Sequence, residues 1–202
     1  MTEGPVGRPG TLRVIAGSAG GLRFACPREA HIRPTADRVR EAIFNILGAA
    51  VTDARVLDLF AGSGAYGIEA LSRGAAACVF VERSRVCAAA IAGNLRATRL
   101  AGQGRVIAAD ALAFPGERLQ PGEQFDLVFL DPPYRHIAGS SPDSRLTALI
   151  ERLALLGVLA PSGTLVYEHA SAAEVPGSFR GVVLKSRRRY GSTSVSFYGR
   201  SG

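Results

Sequence analysis

The feature that most constrains this chain is a regular alternation of short apolar segments with longer amphipathic ones, which begins at Arg55. Five segments have the length and the β-branched, apolar composition of buried strands: Arg55–Phe60, Ala77–Val81, Arg105–Ala108, Phe125–Leu130 and Thr164–Tyr167. Four intervening segments have the length and apolar spacing of helices: Ala65–Arg73, Ser84–Arg99, Ala111–Leu119 and Asp143–Leu156. Strands that alternate with helices predict a mostly parallel sheet covered on both faces. The carboxyl ends of its strands would share one edge, where α/β folds bind ligands.

The amino-terminal part departs from this alternation. Leu12–Ala16 and Leu22–Cys26 flank a short Gly-rich segment and predict a β-hairpin. A helix is expected from about Thr35, its N-cap, to Leu47. Its apolar stripe is expected to contain Val39, Ile43 and Ile46, with Phe44 and Leu47 beside it. We therefore predict a basic hairpin extension over residues 1–34 and the main α/β domain over residues 35–202.

The carboxyl-terminal part carries much of the positive charge. Val182–Tyr190 and Thr193–Arg200 predict an antiparallel hairpin that turns near Gly191. The formal net charge of +7 is divided into +3 for residues 1–55, −2 for residues 56–179 and +6 for residues 180–202. Basic ends around a nearly neutral middle favour a polyanionic partner. The run Arg187–Arg189 is either a phosphate contact or a solvated face, and the sequence leaves both open.

A glycine-rich motif follows the first strand of the alternating region. Gly62, Gly64 and Gly67 have the spacing G-x-G-x-x-G, and Glu82 lies 20 residues beyond Gly62, at the end of the next strand. This pattern is typical of dinucleotide sites, in which such an acid binds a ribose. However, Asp58 lies inside the strand just before the turn, where a carboxylate would repel a pyrophosphate. An acid there favours a cofactor with a cationic amino-acid end, which is S-adenosylmethionine rather than NAD.

A second motif, Asp131-Pro132-Pro133-Tyr134, directly follows the apolar segment Phe125–Leu130 and so lies at the ligand-binding edge. The two prolines stiffen the backbone. They hold the Asp131 carboxylate and the Pro132 carbonyl as two fixed acceptors, which match the two N–H donors of an exocyclic amine. Tyr134 would provide a flat surface on which an unstacked base can lie.

Together these motifs resemble the class I S-adenosylmethionine-dependent methyltransferases that modify exocyclic amines through an (Asp/Asn)-Pro-Pro-(Tyr/Phe) motif. The stretches Arg13–Gly17, Ile32–Asn45, Asp58–Gly64 and Glu69–Gly74 further resemble the bacterial 16S rRNA guanine-N2 methyltransferases of the RsmD type. The resemblance implies a Rossmann-like methyltransferase fold and methyl transfer from S-adenosylmethionine to a guanine of the small ribosomal subunit. The first residues, Met1–Gly10, lack the apolar run of a signal peptide, so we expect a cytoplasmic enzyme, and we also expect a monomer.

The resemblance assigns residues to three roles. The catalytic residues that it implies are Asp131, Pro132, Pro133 and Tyr134. The cofactor would be held by Asp58, Phe60, Ala61, Gly62, Ser63, Gly64, Glu82, Asp110 and Ala111, with Glu82 on the ribose and Asp110 on the adenine amine. Asp110 could equally cap a helix. The expected RNA contacts are Arg13, Arg33, Arg38, Arg40, Arg187, Arg188 and Arg189.

Other classes of protein fit the sequence less well. A DNA amino-methyltransferase uses the same motif, but the residues after Tyr134 leave no room for a target-recognition domain. A protein-glutamine methyltransferase would resemble Asn-Pro-Pro-Tyr instead, and a non-catalytic RNA-binding module would not need the cofactor motif. The three cysteines and three histidines lack zinc-site spacing, so we expect no metal, and no segment is long and apolar enough to predict a membrane span.

Overall fold

The structure, a computed structural model, describes residues 10–28, 36–114, 119–120, 122–133 and 144–201. Its centre is an eight-stranded mixed sheet with the strand order β5-β4-β3-β6-β7-β10-β9-β8. The strands of this sheet are β3 (Arg55–Leu59), β4 (Ala77–Glu82), β5 (Gly104–Ala108), β6 (Phe125–Leu130), β7 (Leu159–Ala170), β8 (Ser178–Phe179), β9 (Val182–Tyr190) and β10 (Thr193–Arg200). Strands β3 to β7 pair in parallel, whereas β7, β10, β9 and β8 pair antiparallel. The predicted fold class and the antiparallel carboxyl-terminal hairpin are confirmed.

Helices cover both faces of the sheet. They are α1 (Ala36–Leu47), α2 (Ala65–Ser72), α3 (Arg85–Ala97) and α4 (Ser144–Leu155). Apolar residues of α1, α2 and α3 pack with one face of the sheet into what we call the first core. Residues of α4 pack with the opposite face into the second core. Within the described part of the chain, no helix is long and apolar enough to cross a membrane.

The amino-terminal hairpin forms a separate two-stranded sheet of β1 (Gly10–Arg13) and β2 (Arg23–Cys26). It nevertheless shares the first core, to which it contributes Phe24. Its loop lies directly against the end of α2, where the backbone N–H of Ser18 donates to the carbonyl of Ser72 at 2.7 Å. A Cβ atom at Gly17, which has φ +86°, would come within 1.8 Å of that carbonyl oxygen. Only glycine fits at this contact, so the loop is docked closely against the domain.

Most of the predicted segments are confirmed to within a few residues, but two local predictions are wrong. The helix expected over Ala111–Leu119 is a short 3-10 turn, Ala111–Ala113, among the described residues. Ile46, expected in the buried stripe of α1, is 43% exposed, because Leu47 and Arg40 turn toward the protein interior instead. The predicted caps Thr35 and Asp143 lie outside the described residues. The division at residue 34 stays a prediction.

Candidate active site

Four acidic residues lie at the carboxyl ends of neighbouring parallel strands, all on the same face of the sheet. Glu82, Asp58, Asp131 and Glu168 come from β4, β3, the end of β6, and β7, in the order in which those strands lie in the sheet. Each stands two positions after a residue of the first core, namely Phe80, Val56, Phe129 and Val166. Because side chains alternate along a strand, all four belong to the face that α1, α2 and α3 cover. We call this set the acidic row.

The glycine loop, residues 60–64, connects β3 to α2 beneath this row. Its backbone is sharply turned, with positive φ at Phe60, Gly62 and Gly64. The N–H of Ala61 donates to the carbonyl of Val81 at 3.1 Å, which ties the loop to the neighbouring strand. Beyond the loop, a Cβ at Gly67 would approach the Phe80 ring to 2.2 Å. The three glycines of the motif therefore serve a tight turn and the close packing of α2 on the sheet.

Asp58 is the most deeply buried acid of the row, at 2% exposure. Its Oδ2 accepts a hydrogen bond from the backbone N–H of Gly67 at 2.9 Å. Burial raises the pKa of this carboxyl well above its usual value, and the charges of Asp131 and Glu82 raise it further, although the Gly67 hydrogen bond lowers it. A carboxylate in these surroundings is stabilised when a cationic group lies beside it.

Glu82 holds the glycine loop in place with both of its carboxylate oxygens. Oε2 accepts from the N–H of Gly62 at 2.8 Å, and Oε1 accepts from the N–H of Ser84 at 2.7 Å. Ser84 in turn caps α3, as predicted, by accepting from the N–H of Cys87. Asp110 follows β5 and accepts from the N–H of Leu112 at 3.0 Å, so it caps the short turn after that strand. That turn begins at the buried Ala111.

Asp131, Pro132 and Pro133 directly follow β6, as the sequence predicts, with Pro132 buried. Leu130 pairs with Leu59 of β3, so Asp131 lies level with Phe60, the first residue of the glycine loop. From there the charge of Asp131 raises the pKa of both Asp58 and Tyr66. Tyr134, the last residue of the motif, lies outside the described residues.

Sequence reasoning missed the pair formed by Tyr66 and Glu168. The Tyr66 hydroxyl donates to Oε2 of Glu168 in a short hydrogen bond. The Tyr66 ring stacks on Phe129, with centroids 5.1 Å apart and planes at 11°. Burial, reinforced by the charges of Glu168 and Asp131, raises the pKa of this hydroxyl well above its usual value. Glu168 could have been found by the pattern that indicated Asp58 and Glu82, since it too is an acid at the end of an apolar strand.

Sequence reasoning also missed how the hairpin is attached to the site. Asn94 of α3 accepts from the N–H of Ala25 at 2.9 Å and donates to the carbonyls of Ala25 at 2.8 Å and Ser63 at 3.0 Å. One side chain therefore joins β2 to the glycine loop. Glu69 of α2, which is 0% exposed, accepts from the N–H groups of Ile15 and Ala16 in the hairpin.

The arginines expected to contact RNA are in different situations. Arg13 and Arg38 are exposed, and Arg33 lies outside the described residues. Arg40 is 2% exposed, and its guanidinium donates to the carbonyl of Arg13 at 2.6 Å and pairs with Asp37 at 3.0 Å. This buried position does not match the predicted contact of Arg40 with RNA, because the side chain is used inside the protein.

The run Arg187–Arg189 is exposed, but its three side chains do not share one face. Arg188 is opposite Val195, a residue of the first core, so it belongs to the face of the acidic row. Arg187 and Arg189 belong to the other face, opposite Ser196 and Ser194. Arg187 also donates to the Ser196 hydroxyl and to the carbonyl of Val175, each at 2.8 Å. The run is therefore divided between two surfaces.

In the described residues, no group of three or more His, Cys, Asp or Glu side chains is placed to hold a metal ion. The acidic row is instead spread along the sheet edge, next to the glycine loop. Such an arrangement can bind a cation and several hydroxyl or amine donors side by side.

Comparison with known proteins places this arrangement among methyltransferases. A family model described as Conserved hypothetical protein 95 matches residues 12–199. YlbH of Bacillus subtilis, provisionally named an rRNA methyltransferase, is 35% identical over 191 residues, which are 95% of this chain and 100% of YlbH. Ribosomal RNA small subunit methyltransferase D of Escherichia coli K12 is 43% identical over 126 residues, 62% of each chain. The structure of yhhF from Escherichia coli, provisionally described as a methyltransferase, is 35% identical, has a TM-score of 0.77 and covers 96% of this chain and 99% of its own.

Proposed function

Because this chain belongs to the family described as Conserved hypothetical protein 95, we propose that it transfers a methyl group from S-adenosylmethionine to the N2 amine of a guanine in small-subunit ribosomal RNA. The observation that carries this proposal is the position of Asp131-Pro132-Pro133, at the end of β6 and level with the start of the glycine loop on the neighbouring β3. The names of the rRNA methyltransferase relatives support the substrate class.

The residues on the cofactor side fit S-adenosylmethionine. Asp58 is a buried acid whose charged form needs a cation nearby, which an amino-acid ammonium group would provide. Glu82 stands at the end of the next strand, and its oxygens can accept from ribose hydroxyls in addition to the two backbone bonds that they receive. Asp110, after the following strand, is exposed and can accept from an adenine amine.

The chain's contribution to the reaction is to position the acceptor amine. S-adenosylmethionine supplies an electrophilic methyl group on a sulfonium. The Asp131 carboxylate and the Pro132 carbonyl accept hydrogen bonds from the two N–H groups of the amine. These two bonds direct the lone pair of the amine toward that methyl group. As the new N–C bond forms, the bond from the methyl group to sulfur breaks, its electron pair stays on the sulfur as a neutral thioether, and one N2 proton leaves toward Asp131 or water. Tyr134 would stack on the unstacked base. Most of the rate acceleration then comes from positioning and from fixed acceptors.

We propose that Arg188 contributes to RNA binding. Asp131, Glu168, Val195 and Arg188 follow one another across β6, β7, β10 and β9 at one level of the sheet. With strands about 4.8 Å apart, Arg188 lies about two strand spacings beyond Glu168, on the same face. That position suits contact with a phosphate of the target strand. A ribosomal RNA substrate also implies action in the cytoplasm, and we expect the chain to act as a monomer.

The decisive experiment compares Asp131→Asn with Asp126→Asn, the same substitution at the opposite end of β6. Small-subunit RNA from a strain that lacks this protein is the substrate, and the methylated nucleotide is mapped. We expect Asp131→Asn to lower kcat by at least about 100-fold, because a fixed acceptor is lost, while calorimetry shows unchanged binding of S-adenosylmethionine. Asp126, which accepts from the N–H of Arg55 at 2.8 Å, should tolerate the change. Methylation of DNA or protein instead of this RNA would overturn the proposal.

A second experiment tests the contact of Arg188 with an RNA phosphate by means of Arg188→Ala. The control is Arg189→Ala, since Arg189 lies on the opposite face of the sheet. Arg188→Ala should lower the slope of log affinity against log salt concentration by about 0.7–0.9, as expected for one lost phosphate contact. Arg189→Ala should leave the slope unchanged. Equal slopes in the wild type and Arg188→Ala would contradict this assignment.

A further inference from the structure

The acidic row contains one member that the proposed reaction does not use. Glu82 and Asp58 lie on the cofactor side, and Asp131 lies at the acceptor amine. Glu168 comes next, on β7, which pairs with β6 on the side away from β3 and β4. Leu130 is level with Tyr167 in this pair, so Asp131 and Glu168 are neighbours across two adjacent strands. Glu168 therefore lies one strand spacing, about 4.8 Å, from Asp131 and on the side away from Asp58 and Glu82, where a base whose amine is held at Asp131 can contact it.

Glu168 is held in a defined position at this point. It is 8% exposed, and Oε2 accepts from the Tyr66 hydroxyl. Tyr66 is itself fixed by stacking on Phe129, which belongs to the strand that ends at Asp131. A carboxylate has about four acceptor positions, so Glu168 can accept from a substrate donor in addition to the partners that it has within the protein. Because the site is largely shielded from water, such a charged acceptor discriminates strongly between a donor and another acceptor.

We propose that Glu168 accepts the N1–H of the target guanine and thereby selects guanine over other bases that carry an exocyclic amine. This inference rests on the proposed function. In guanine, one of the two ring nitrogens beside the reactive amine, N1, carries a proton and donates a hydrogen bond. In adenine and cytosine, the ring nitrogen beside the amine is an acceptor, and its lone pair would face the carboxylate. Asp131 and Pro132 accept from any amine, so Glu168 provides the discrimination that they lack.

The test replaces the target guanine with 2-aminopurine, which keeps the C2 amine but has an unprotonated N1. The nucleotide is identified by the mapping experiment above, and small-subunit RNA with either base at that position is the substrate. The wild type should prefer guanine in kcat/KM by at least about 100-fold, because a site built around a buried acceptor rejects a base that lacks the donor. Glu168→Gln should reduce this preference at least tenfold, since its amide can donate to N1 of 2-aminopurine. Glu174→Gln, an exposed change, should leave the preference as in the wild type.

A purely structural role for Glu168 would lower kcat/KM for both bases equally and leave the preference unchanged, which would overturn the inference. Tyr66→Phe tests the same idea without altering the carboxylate, because it keeps the stacked ring and removes the hydroxyl bond. It should reduce the preference for guanine by about 3- to 10-fold, as expected for the net contribution of one hydrogen bond that positions the carboxylate. If Glu168→Gln does not fold, an unchanged preference in Tyr66→Phe overturns the inference alone. Failure of the wild type to methylate either RNA overturns the proposed function instead.

Discussion

Replacing Glu69 with glutamine tests how the amino-terminal hairpin is attached to the domain. The Glu69 carboxylate is fully buried and accepts from the N–H groups of Ile15 at 2.7 Å and Ala16 at 3.1 Å. It also pairs with Nε of Arg73 at 2.7 Å, and Nε of the buried Arg40 lies 3.8 Å away. The substitution keeps the shape of the side chain but removes its charge and one acceptor oxygen.

The structure determines the size of the expected effect. In the wild type, both carboxylate oxygens of Glu69 accept hydrogen bonds. Whichever way the glutamine amide is turned, its NH2 group replaces one of these oxygens and faces the donors that the oxygen satisfied. At least one buried donor then loses its partner, which costs about 1–3 kcal/mol. The loss of charge also weakens the pair with Arg73 and leaves Arg40, whose Nε has no hydrogen-bond partner among the described residues, beside a neutral group. Breaking one side of a buried ionic network costs about 3–5 kcal/mol in total. We therefore expect a loss of about 3 kcal/mol in the free energy of unfolding.

Urea denaturation measures this loss, and thermal unfolding should show a decrease in Tm of about 6–12 °C for a chain of this size. Amide hydrogen exchange at Ile15 and Ala16 should accelerate selectively, because these are the groups that lose their acceptor. The control is Glu151→Gln, in which an exposed carboxylate accepts from the N–H of Arg180 at 3.1 Å, and it should cost no more than about 0.5 kcal/mol. A loss below about 1 kcal/mol in Glu69→Gln, with unchanged exchange, would refute the reasoning.

Three further predictions concern the packing of α2, the burial of Asp58 and the contacts of Asn94. Gly67→Ala should destabilise the protein by about 1–3 kcal/mol in urea denaturation, because its Cβ would approach Phe80 to 2.2 Å. Gly93→Ala, where the nearest atom would be 3.9 Å away, should stabilise α3 by up to about 1 kcal/mol, and equal effects at the two glycines would contradict the packing argument. The raised pKa of Asp58 means that its contribution to stability is present at low pH and is lost as the pH rises through the folded-state pKa. The wild type should therefore lose stability relative to Asp58→Asn as the pH rises above about 4, the usual pKa of an aspartate, whereas a constant difference would show that the pKa is not raised. Asn94→Ala should speed amide exchange in both β2 and the glycine loop and weaken binding of S-adenosylmethionine, and an effect confined to β2 would show that the two are not coupled.

Local patterns predicted the parts of the fold and the site that depend on residues close together in sequence. The strand Phe125–Leu130 and the two carboxyl-terminal strands agree with the sequence prediction at both ends, because residues that interrupt strands, such as Pro132, Gly181 and Gly191, lie next to them. The glycine motif and Asp131 lie at the sheet edge for the same reason: a strand end can be recognised from its own residues.

Features that depend on distant parts of the chain could not be predicted in this way. The sequence pattern predicts Arg40 to be an exposed basic residue of an amphipathic helix. Only its contacts with the hairpin and α2 explain its burial. The sequence predicts that Arg187–Arg189 form one basic cluster. Because side chains alternate between the two faces of a strand, the three arginines are divided between two surfaces. The contacts of Asn94 and Glu69 with the hairpin have no local pattern, since Ala25 is 69 residues from Asn94 and Ile15 is 54 residues from Glu69.

The change from parallel to antiparallel pairing between β7 and β10 has a consequence for how such an enzyme can diversify. Because β10 runs against β7, Thr193 at its start pairs with Ala170 at the end of β7, and also with Tyr190 at the end of β9. The turn around Gly191 is therefore at the same edge as the acidic row, but on the acceptor side. Insertions in this turn would add surface next to the substrate without changing any strand that carries the cofactor residues. Substrate range and cofactor chemistry can therefore evolve independently within one continuous sheet.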